Sequence, residues 1–211
     1  MYTFLQNIID FIFPPSNEEL HIRYLPIDWL PANAPNVSNT EFPFIRSLFS
    51  YKDKLIRELI WQIKYKKNKH AIKCAGYALY KELCEKYSNT VNTEKIILIP
   101  IPISKSRRKE RGYNQCELLI DEIIHFDLEK RFSKDFNILI RIKDIEKQTF
   151  KNRNERISNI NNIFNVIKIE NTEQKLIIID DVTTTGSTLK EAYNKLTDSG
   201  YTRIEALTIA H

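Results

Sequence analysis

Two carboxylates and a group of hydroxyl side chains follow one apolar segment late in the sequence. Residues 176–179 read Leu-Ile-Ile-Ile, which is typical of a strand covered on both faces of a parallel sheet. Asp180 and Asp181 follow directly, and five hydroxyl residues around one glycine then lead into a helix predicted over 187–199. In open α/β sheets, ligands bind beyond the carboxyl ends of the strands. We therefore expect an acidic, hydroxyl-rich site at that edge of the sheet.

The hydroxyl-rich turn is suited to a phosphate group. Its backbone N–H groups and side-chain oxygens surround one point, and the following helix directs the positive end of its dipole there. The single glycine lets the backbone approach a ligand closely or take a positive φ. The candidate phosphate-binding residues are Thr183, Thr184, Thr185, Gly186, Ser187 and Thr188.

Asp180 and Asp181 precede this turn, where the hydroxyls of a sugar phosphate would lie. Carboxylates accept hydrogen bonds from a vicinal diol, and they can help to hold Mg²⁺ directly or through water. The alternative is that the acids form a turn and the threonines cap a helix. The patterns G-x-x-x-x-G-K-[ST] and G-x-G-x-x-G are absent, which disfavours a P-loop ATPase and a dinucleotide enzyme.

The string 178–188 resembles the signature of type I phosphoribosyltransferases, in which apolar residues precede two aspartates and a Thr-Thr-Gly turn. The resemblance implies a Rossmann-like, mainly parallel sheet flanked by helices. It also implies that 183–188 bind the 5-phosphate of phosphoribosyl diphosphate and that Asp180 and Asp181 contact its ribose as the catalytic pair. The implied activity is that of a glycosyltransferase, with Mg²⁺ as the cofactor, held through the substrate.

Further motifs narrow the resemblance to the ComF family. Residues 99–104 contain Pro-x-Pro after an apolar run, 111–115 read Arg-Gly-Tyr-Asn-Gln, and 13–15 read Phe-Pro-Pro. ComF proteins are linked to the uptake of transforming DNA. The resemblance therefore leaves two functions open, a phosphoribosyltransferase with an unknown acceptor and a non-catalytic factor that binds single-stranded DNA. The DNA-uptake machinery is the implied partner.

One part of the ComF pattern is missing from this sequence. Family members commonly carry a four-cysteine zinc module just after Phe-Pro-Pro, whereas Ser-Asn-Glu-Glu-Leu follows here at 16–20. The first cysteine in the chain is Cys74. We therefore expect the zinc module to be absent.

Basic residues in two segments are candidates for binding a diphosphate. Segment 105–112 follows a predicted strand, and the resemblance implies that it binds the leaving pyrophosphate through Arg107, Arg108 and Arg111. Segment 143–161 resembles the mobile loop that closes over such sites, and its candidate residues are Gln148, Arg153 and Arg156. The alternatives are a solvated basic loop and a charged hairpin.

A third basic cluster surrounds two aromatic residues, Trp61 and Tyr65. Basic side chains between aromatic ones suit single-stranded nucleic acid. A solvated helix end with its aromatics in the core is the alternative. The cluster consists of Lys64, Lys66, Lys67, Lys69 and Lys73.

The elements that position these residues alternate between strands and helices. Helices are predicted over 1–13, 52–66, 69–87, 113–126 and 187–199, and strands over 96–103, 137–142, 162–169, 175–180 and 204–210. The alternation predicts a parallel sheet with helices on both faces. Prolines through 16–47 predict an irregular segment, so we divide the chain into an N-terminal arm or lid over 1–47 and a phosphoribosyltransferase-like domain over 48–211.

The composition suits one α/β domain with a small appendage. Of the 211 residues 42% are hydrophobic, which is enough for a core, and the net charge of +5 favours partners that carry phosphate. No apolar run approaches the ~20 residues needed to cross a bilayer. Three cysteines without a C-x-x-C pair indicate reduced thiols, so we expect a cytoplasmic protein without a membrane span.

Overall fold

A computed structural model of the chain describes residues 14–33, 42–88, 96–142, 163–167 and 172–211. The helix predicted over 1–13 lies outside the described residues. The predicted closing segment over 143–161 also lies outside them, together with Gln148, Arg153 and Arg156. The roles assigned to those three residues therefore stay predictions.

The described residues contain seven strands, five of which form one parallel sheet. The strands are β1 (Ile45–Phe49), β2 (Ile96–Pro100), β3 (Phe132–Lys134), β4 (Leu139–Arg141), β5 (Phe164–Val166), β6 (Leu176–Val182) and β7 (Ile204–Ala210). Their order across the sheet is β1-β7-β6-β2-β3, and every pairing in it is parallel. β4 and β5 form a separate antiparallel pair. The predicted mainly parallel sheet is confirmed.

Helices in the described residues connect the strands and cover the sheet. They are α1 (Asn17–Arg23), α2 (Trp29–Ala32), α3 (Lys54–Trp61), α4 (Lys69–Lys86), α5 (Lys105–Arg111), α6 (Gln115–Phe126) and α7 (Ser187–Asp198). A π-helical turn, Gln62–Lys66, extends α3. Polar side chains set several helix starts, as where Asp53 accepts the N–H groups of Leu55 and Ile56. No helix of the described part is long and apolar enough to span a membrane.

The central strands send alternate side chains into two hydrophobic clusters. Ile177 and Ile179 of β6 pack into the cluster formed with α1 to α4 and α6. Leu176 and Ile178 pack into the cluster formed with α7 and the β4–β5 pair. Both faces of β6 are therefore buried, which accounts for its unbroken apolar sequence.

The N-terminal arm and the domain share one core in the described residues. β1 crosses the predicted boundary at 47/48, and its first residue, Ile45, pairs with Ala206 of β7. Ile22 of α1 and Leu30 of α2 are fully buried in the cluster below the sheet. Prolines break this part of the chain into short elements, but its apolar residues still complete the main core.

Segment 105–112, which the sequence presents as a basic loop, forms the helix α5. Ser104 caps its start by accepting the N–H of Arg107, and Gly112 ends it with a φ of 80°. None of the seven helical residues is buried. The helix therefore has no apolar stripe, and only its two cap residues could have indicated a helix in the sequence.

Gly76 lies where α4 and α6 approach each other closely. A Cβ at Gly76 would stand 2.4 Å from Cβ of Glu122. We expect Gly76→Ala to lower the free energy of unfolding by about 1–3 kcal/mol, because the helices must separate. Urea denaturation measures this change. In a Glu122→Gly background the same substitution should instead stabilise the protein, since alanine favours a helix over glycine by about 1 kcal/mol. Equal effects in both backgrounds would contradict the close approach.

Candidate functional site

The acid pair and the hydroxyl-rich turn lie at the carboxyl edge of the sheet, as the sequence predicted. Asp180 and Asp181 occupy the end of β6, and Thr183 follows the strand with its N–H donated to the carbonyl of Ala210, 3.0 Å away. The chain then turns into α7. The structure also brings the start of α6 to this edge, so two segments that are distant in sequence meet there.

Gly186 determines the shape of the turn. Its φ is 73°, in the left-handed region that glycine favours, and it is the residue from which α7 starts. A Cβ at this position would lie 2.6 Å from Cδ2 of Phe42. The backbone at Gly186 therefore approaches the ring of Phe42 in the N-terminal arm closely. Gly186 supplies no side-chain cap to α7, and the N–H of Ser187 donates instead to Oγ1 of Thr185 at 3.4 Å.

The hydroxyl side chains of the turn differ in exposure. Thr183 is buried, whereas Thr184 and Thr185 are exposed. The hydroxyl oxygens of Thr185 and Ser187 are hydrogen-bonded at 2.8 Å. The turn therefore carries both exposed hydroxyl side chains and a hydroxyl pair held by a hydrogen bond.

Asp181 is held by two side chains from outside its strand. Its side chain is 5% exposed, and its Oδ1 lies 3.0 Å from Nζ of Lys64 in an ion pair. Its Oδ2 accepts a hydrogen bond from Nε2 of Gln115 at 2.6 Å. Burial alone would lower the pKa of Lys64, but the carboxylates of Asp181 and Asp180 raise it overall, so this lysine stays charged.

Asp180 accepts hydrogen bonds from a backbone amide and a thiol. Its Oδ1 accepts the backbone N–H of Asp181 at 2.8 Å and the S–H of Cys116 at 3.6 Å. Burial and the adjacent charge of Asp181 raise the pKa of Asp180 to about 7. The pKa of Cys116 is raised well above its usual value by burial and by the same two acids, so the thiol remains a donor.

This raised pKa predicts a stability change on removing the charge of Asp180. Because the carboxyl takes up protons more readily in the folded than in the unfolded protein, its contribution to stability is greatest below pH 4 and is lost as the pH rises to 7. We expect Asp180→Asn to raise the free energy of unfolding at pH 8, by on the order of 1 kcal/mol or more, and to have little effect at pH 4. Urea denaturation at pH 4 and at pH 8 measures this change. A variant that is less stable than the unmodified protein at pH 8 would contradict the raised pKa.

The segment Arg-Gly-Tyr-Asn-Gln at 111–115 connects the acid pair to the π-helical turn. The hydroxyl of Tyr113 donates to the carbonyl of Ile63 at 2.7 Å. Asn114 caps α6 and also donates through Nδ2 to the carbonyl of Ile101 at 3.0 Å. Gln115 then reaches Asp181. The motif therefore fixes the relative positions of β2, β6, α6 and the π-helical turn.

The three candidate arginines have different surroundings. Arg111 lies beside the acid pair, since its Nη1 donates to Oε1 of Gln115 at 3.1 Å and its guanidinium lies 5.0 Å from the ring centre of Tyr65. Arg108 binds both carboxylate oxygens of Glu117, at 2.8 and 2.9 Å. Arg107 is exposed on α5. Only Arg111 of the three contacts a residue that binds the acids in the described structure.

Lys64, like Gln115 and Cys116, contacts the acid pair although the sequence did not identify it as a site residue. The pattern grouped it with surface lysines, and two of these do remain over aromatic rings, with Lys66 Nζ 5.3 Å from the ring centre of Trp61 and Lys67 Nζ 5.1 Å from that of Tyr113. Lys64 instead turns inward to Asp181. A helix with 3.6 residues per turn was assumed through 66, and the π-helical turn breaks that periodicity.

Comparison with known proteins relates the chain to competence proteins, although no family model matches it. The chain is 30% identical over 158 residues to competence protein ComFC of Bacillus subtilis, covering 74% of this chain and 58% of that protein. The chain is therefore similar to competence proteins of the ComF type. It is also 32% identical over 115 residues to competence protein F of Haemophilus influenzae, covering 54% and 49%.

Other similarities are more distant. DNA utilization protein YhgH of Escherichia coli O6:H1 is 26% identical to this chain over 147 residues, which are 70% of this chain and 63% of that protein. The chain thus spans 49% to 63% of the length of these curated relatives. Among solved structures, a mutant of hypoxanthine phosphoribosyltransferase from Trypanosoma cruzi is 13% identical, with 72% and 67% coverage and a TM-score of 0.41. The Staphylococcus aureus enzyme is 18% identical, with 64% and 62% coverage and a TM-score of 0.36.

The chain forms a helix at the position where the ComF pattern described above has its cysteine module. Ser16 follows the two prolines and caps α1 by accepting the N–H of Glu19 at 3.1 Å. The side chain of Ile22 in the same helix is fully buried. A hydrophobic contact and a helix cap thus order this stretch of the chain.

Proposed function

We propose that this chain binds phosphoribosyl diphosphate together with Mg²⁺ at the carboxyl edge of the sheet. The observation that supports this most is the juxtaposition at the end of β6 of an acid pair and a glycine-shaped turn that opens α7. An isolated helix start would suit many anions. A carboxylate beside it adds a group that binds the hydroxyls of a sugar phosphate.

The residues of the turn would bind the 5-phosphate. The exposed hydroxyls of Thr184 and Thr185, with the backbone N–H groups at the start of α7, supply donors for its oxygens. Asp180 would accept hydrogen bonds from the ribose hydroxyls. Asp181 has a protein partner on each carboxylate oxygen, so its contribution is to orient the pair.

The acid pair also fits the cofactor that we propose. Mg²⁺ prefers oxygen ligands in octahedral geometry and usually keeps several waters while it binds one or two carboxylates and substrate phosphates. Asp180 would supply the carboxylate ligand, since the two carboxylate oxygens of Asp181 already contact Lys64 and Gln115. When bound, Mg²⁺ supplies neutralisation of the diphosphate charge.

We further propose that the bound phosphoribosyl group is transferred to an acceptor nucleophile. Bond breaking at C1′ develops positive charge on the sugar and negative charge on the leaving pyrophosphate, so positioning and charge neutralisation would account for catalysis. Arg111 would take the second role. Within the described residues its buried Nε has no hydrogen-bond partner, which leaves a donor for the leaving group.

Calorimetry with phosphoribosyl diphosphate and Mg²⁺ tests the binding site. We expect the unmodified protein to bind and Asp180→Asn to bind far more weakly while remaining folded. Asp121→Asn, which changes an exposed acid on α6, is the matched control and should bind normally. No binding by the unmodified protein would refute the site. Pyrophosphate release with a panel of bases and amines then tests transfer.

A second candidate function, binding of single-stranded DNA, is favoured by the surface around the π-helical turn. Trp61 and Tyr65 are 43% and 54% exposed, so the alternative that placed these aromatics in the core is wrong. Cations lie over both rings, Lys66 over Trp61 and Arg111 over Tyr65. Bases stack on exposed aromatics of this kind, and cations beside them bind the phosphates. The names of the relatives refer to competence and DNA utilization.

A salt titration separates this second function from the first. If the surface binds single-stranded DNA, affinity should fall steeply with salt concentration, because phosphate contacts release counterions. Trp61→Ala with Tyr65→Ala should weaken binding to DNA and leave binding of phosphoribosyl diphosphate unchanged if Arg111 keeps its place. If the protein does not bind single-stranded DNA, or binds it equally well without the rings of Trp61 and Tyr65, the proposed DNA-binding function is wrong.

A further inference from the structure

We infer that Lys64 is a positioning residue of the proposed site, which acts on the ligand by fixing the carboxylate of Asp181. This inference rests on the proposed function and extends it to a residue outside the known motifs. Lys64 lies on the π-helical turn, far from β6 in sequence. Its Nζ is nevertheless 3.0 Å from Oδ1 of Asp181.

The ion pair is shielded from solvent on both sides. The side chain of Lys64 is 20% exposed and that of Asp181 is 5% exposed. Exposed ion pairs contribute little to stability or geometry, whereas a shielded pair restricts both partners strongly. With Gln115 bound to the other oxygen, the carboxylate of Asp181 is fixed in its orientation.

The backbone around Lys64 is held as firmly as its side chain. Lys67 ends the π-helical turn in a left-handed conformation with a φ of 49°, and the amide of Asn68 donates to Oε1 of Gln62 at 2.5 Å. The hydroxyl of Tyr113 binds the carbonyl of Ile63. A π-helical turn accommodates one more residue than an α-helical turn, and such turns are frequent at functional sites. Here it directs Lys64 to the acid pair.

The effect of Lys64 would be transmitted to Asp180, the residue proposed to contact the ligand. The backbone N–H of Asp181 donates to Oδ1 of Asp180 at 2.8 Å, so the orientation of the Asp180 carboxylate depends on the backbone that carries Asp181. Two adjacent carboxylates also repel each other and repel an anionic ligand. Lys64 neutralises one of the two charges and so permits a polyanion to approach.

Calorimetry with phosphoribosyl diphosphate and Mg²⁺ tests this role on the full chain. We expect Lys64→Met to raise the Kd by at least about tenfold, a loss of about 1.4 kcal/mol in binding. Lys64→Arg should restore most of the affinity, because its guanidinium reaches the same carboxylate. Lys54→Met, on the exposed first turn of α3, is the matched control and should bind normally. In an Asp181→Asn background, Lys64→Met should have little further effect.

Each outcome is decisive. No binding by the unmodified protein would overturn the proposed function and, with it, this inference. Normal binding by Lys64→Met would overturn the inference alone, and so would a folded Lys64→Arg protein that binds no better than Lys64→Met. Circular dichroism checks the fold of each variant. Should Lys64→Met fail to fold, Lys64→Gln, which keeps a donor for Asp181 without the charge, is measured in its place with the same expected loss.

Discussion

Gly186→Ala is expected to destabilise the protein by about 2–5 kcal/mol. A left-handed conformation costs a residue with a Cβ roughly 1–2 kcal/mol, and overpacking adds about 1–3 kcal/mol. Both terms apply at Gly186, since its φ is 73° and a Cβ would stand 2.6 Å from the ring of Phe42 and 3.2 Å from Cδ1 of Ile45. Urea denaturation measures the loss. The binding of phosphoribosyl diphosphate that we propose should also be lost, because the turn must open to admit the methyl group.

Gly112 provides the matched control for this substitution. Its φ is 80°, yet a Cβ there would meet nothing within 4 Å. Gly112→Ala should therefore reveal the conformational cost alone, about 1–2 kcal/mol. Combining Gly186→Ala with Phe42→Ala should recover part of the excess by removing the ring. Similar losses at the two glycines would show that Phe42 does not pack on the turn.

Asp181→Ala should lower the free energy of unfolding by about 3 kcal/mol or more. The substitution leaves the ammonium group of Lys64 and the amide of Gln115 without their shared partner, and an uncompensated charge in a shielded position is costly. The loss should be measured by urea denaturation near pH 7.

Two comparisons isolate the cause of that loss. Asp121→Ala removes a carboxylate whose ion pair with Lys134 is 46% and 44% exposed, and it should change stability by less than about 1 kcal/mol. Adding Lys64→Met to Asp181→Ala should recover much of the loss, since no charge then remains unpaired. Strictly additive losses from Lys64→Met and Asp181→Ala would contradict a direct interaction between the two side chains.

The parts of the fold with strong apolar periodicity were predicted well. β7 matches its predicted bounds, and α4 and α7 each end one residue before their predicted limits. Each of these elements buries a continuous face, so its sequence reports its own environment. The position of the acid pair and of Gly186 followed from the strand–turn–helix order alone.

The parts that depend on distant partners could not be read from the sequence. β3 has three residues at the sheet edge, too few to show alternation, and β1 mixes polar and apolar residues behind several prolines. The exposed helix α5 has caps but no apolar stripe. Lys64 faces inward because Tyr113 and Asn68 stabilise an extra residue in one turn, and no local pattern encodes that.

The pairing of β1 with β7 has a consequence for how the protein is made. Ser47 of β1 and Thr208 of β7 are hydrogen-bonded at 2.7 Å across 161 residues of sequence. During translation β1 therefore emerges long before the strand that receives it, and Phe42, just ahead of β1, reaches Gly186 only afterwards. Until then, the apolar side chains of β1 are exposed in the nascent chain, where chaperones bind and aggregation begins. Ligand affinity should accordingly arise late in synthesis, in one step with closure of the sheet.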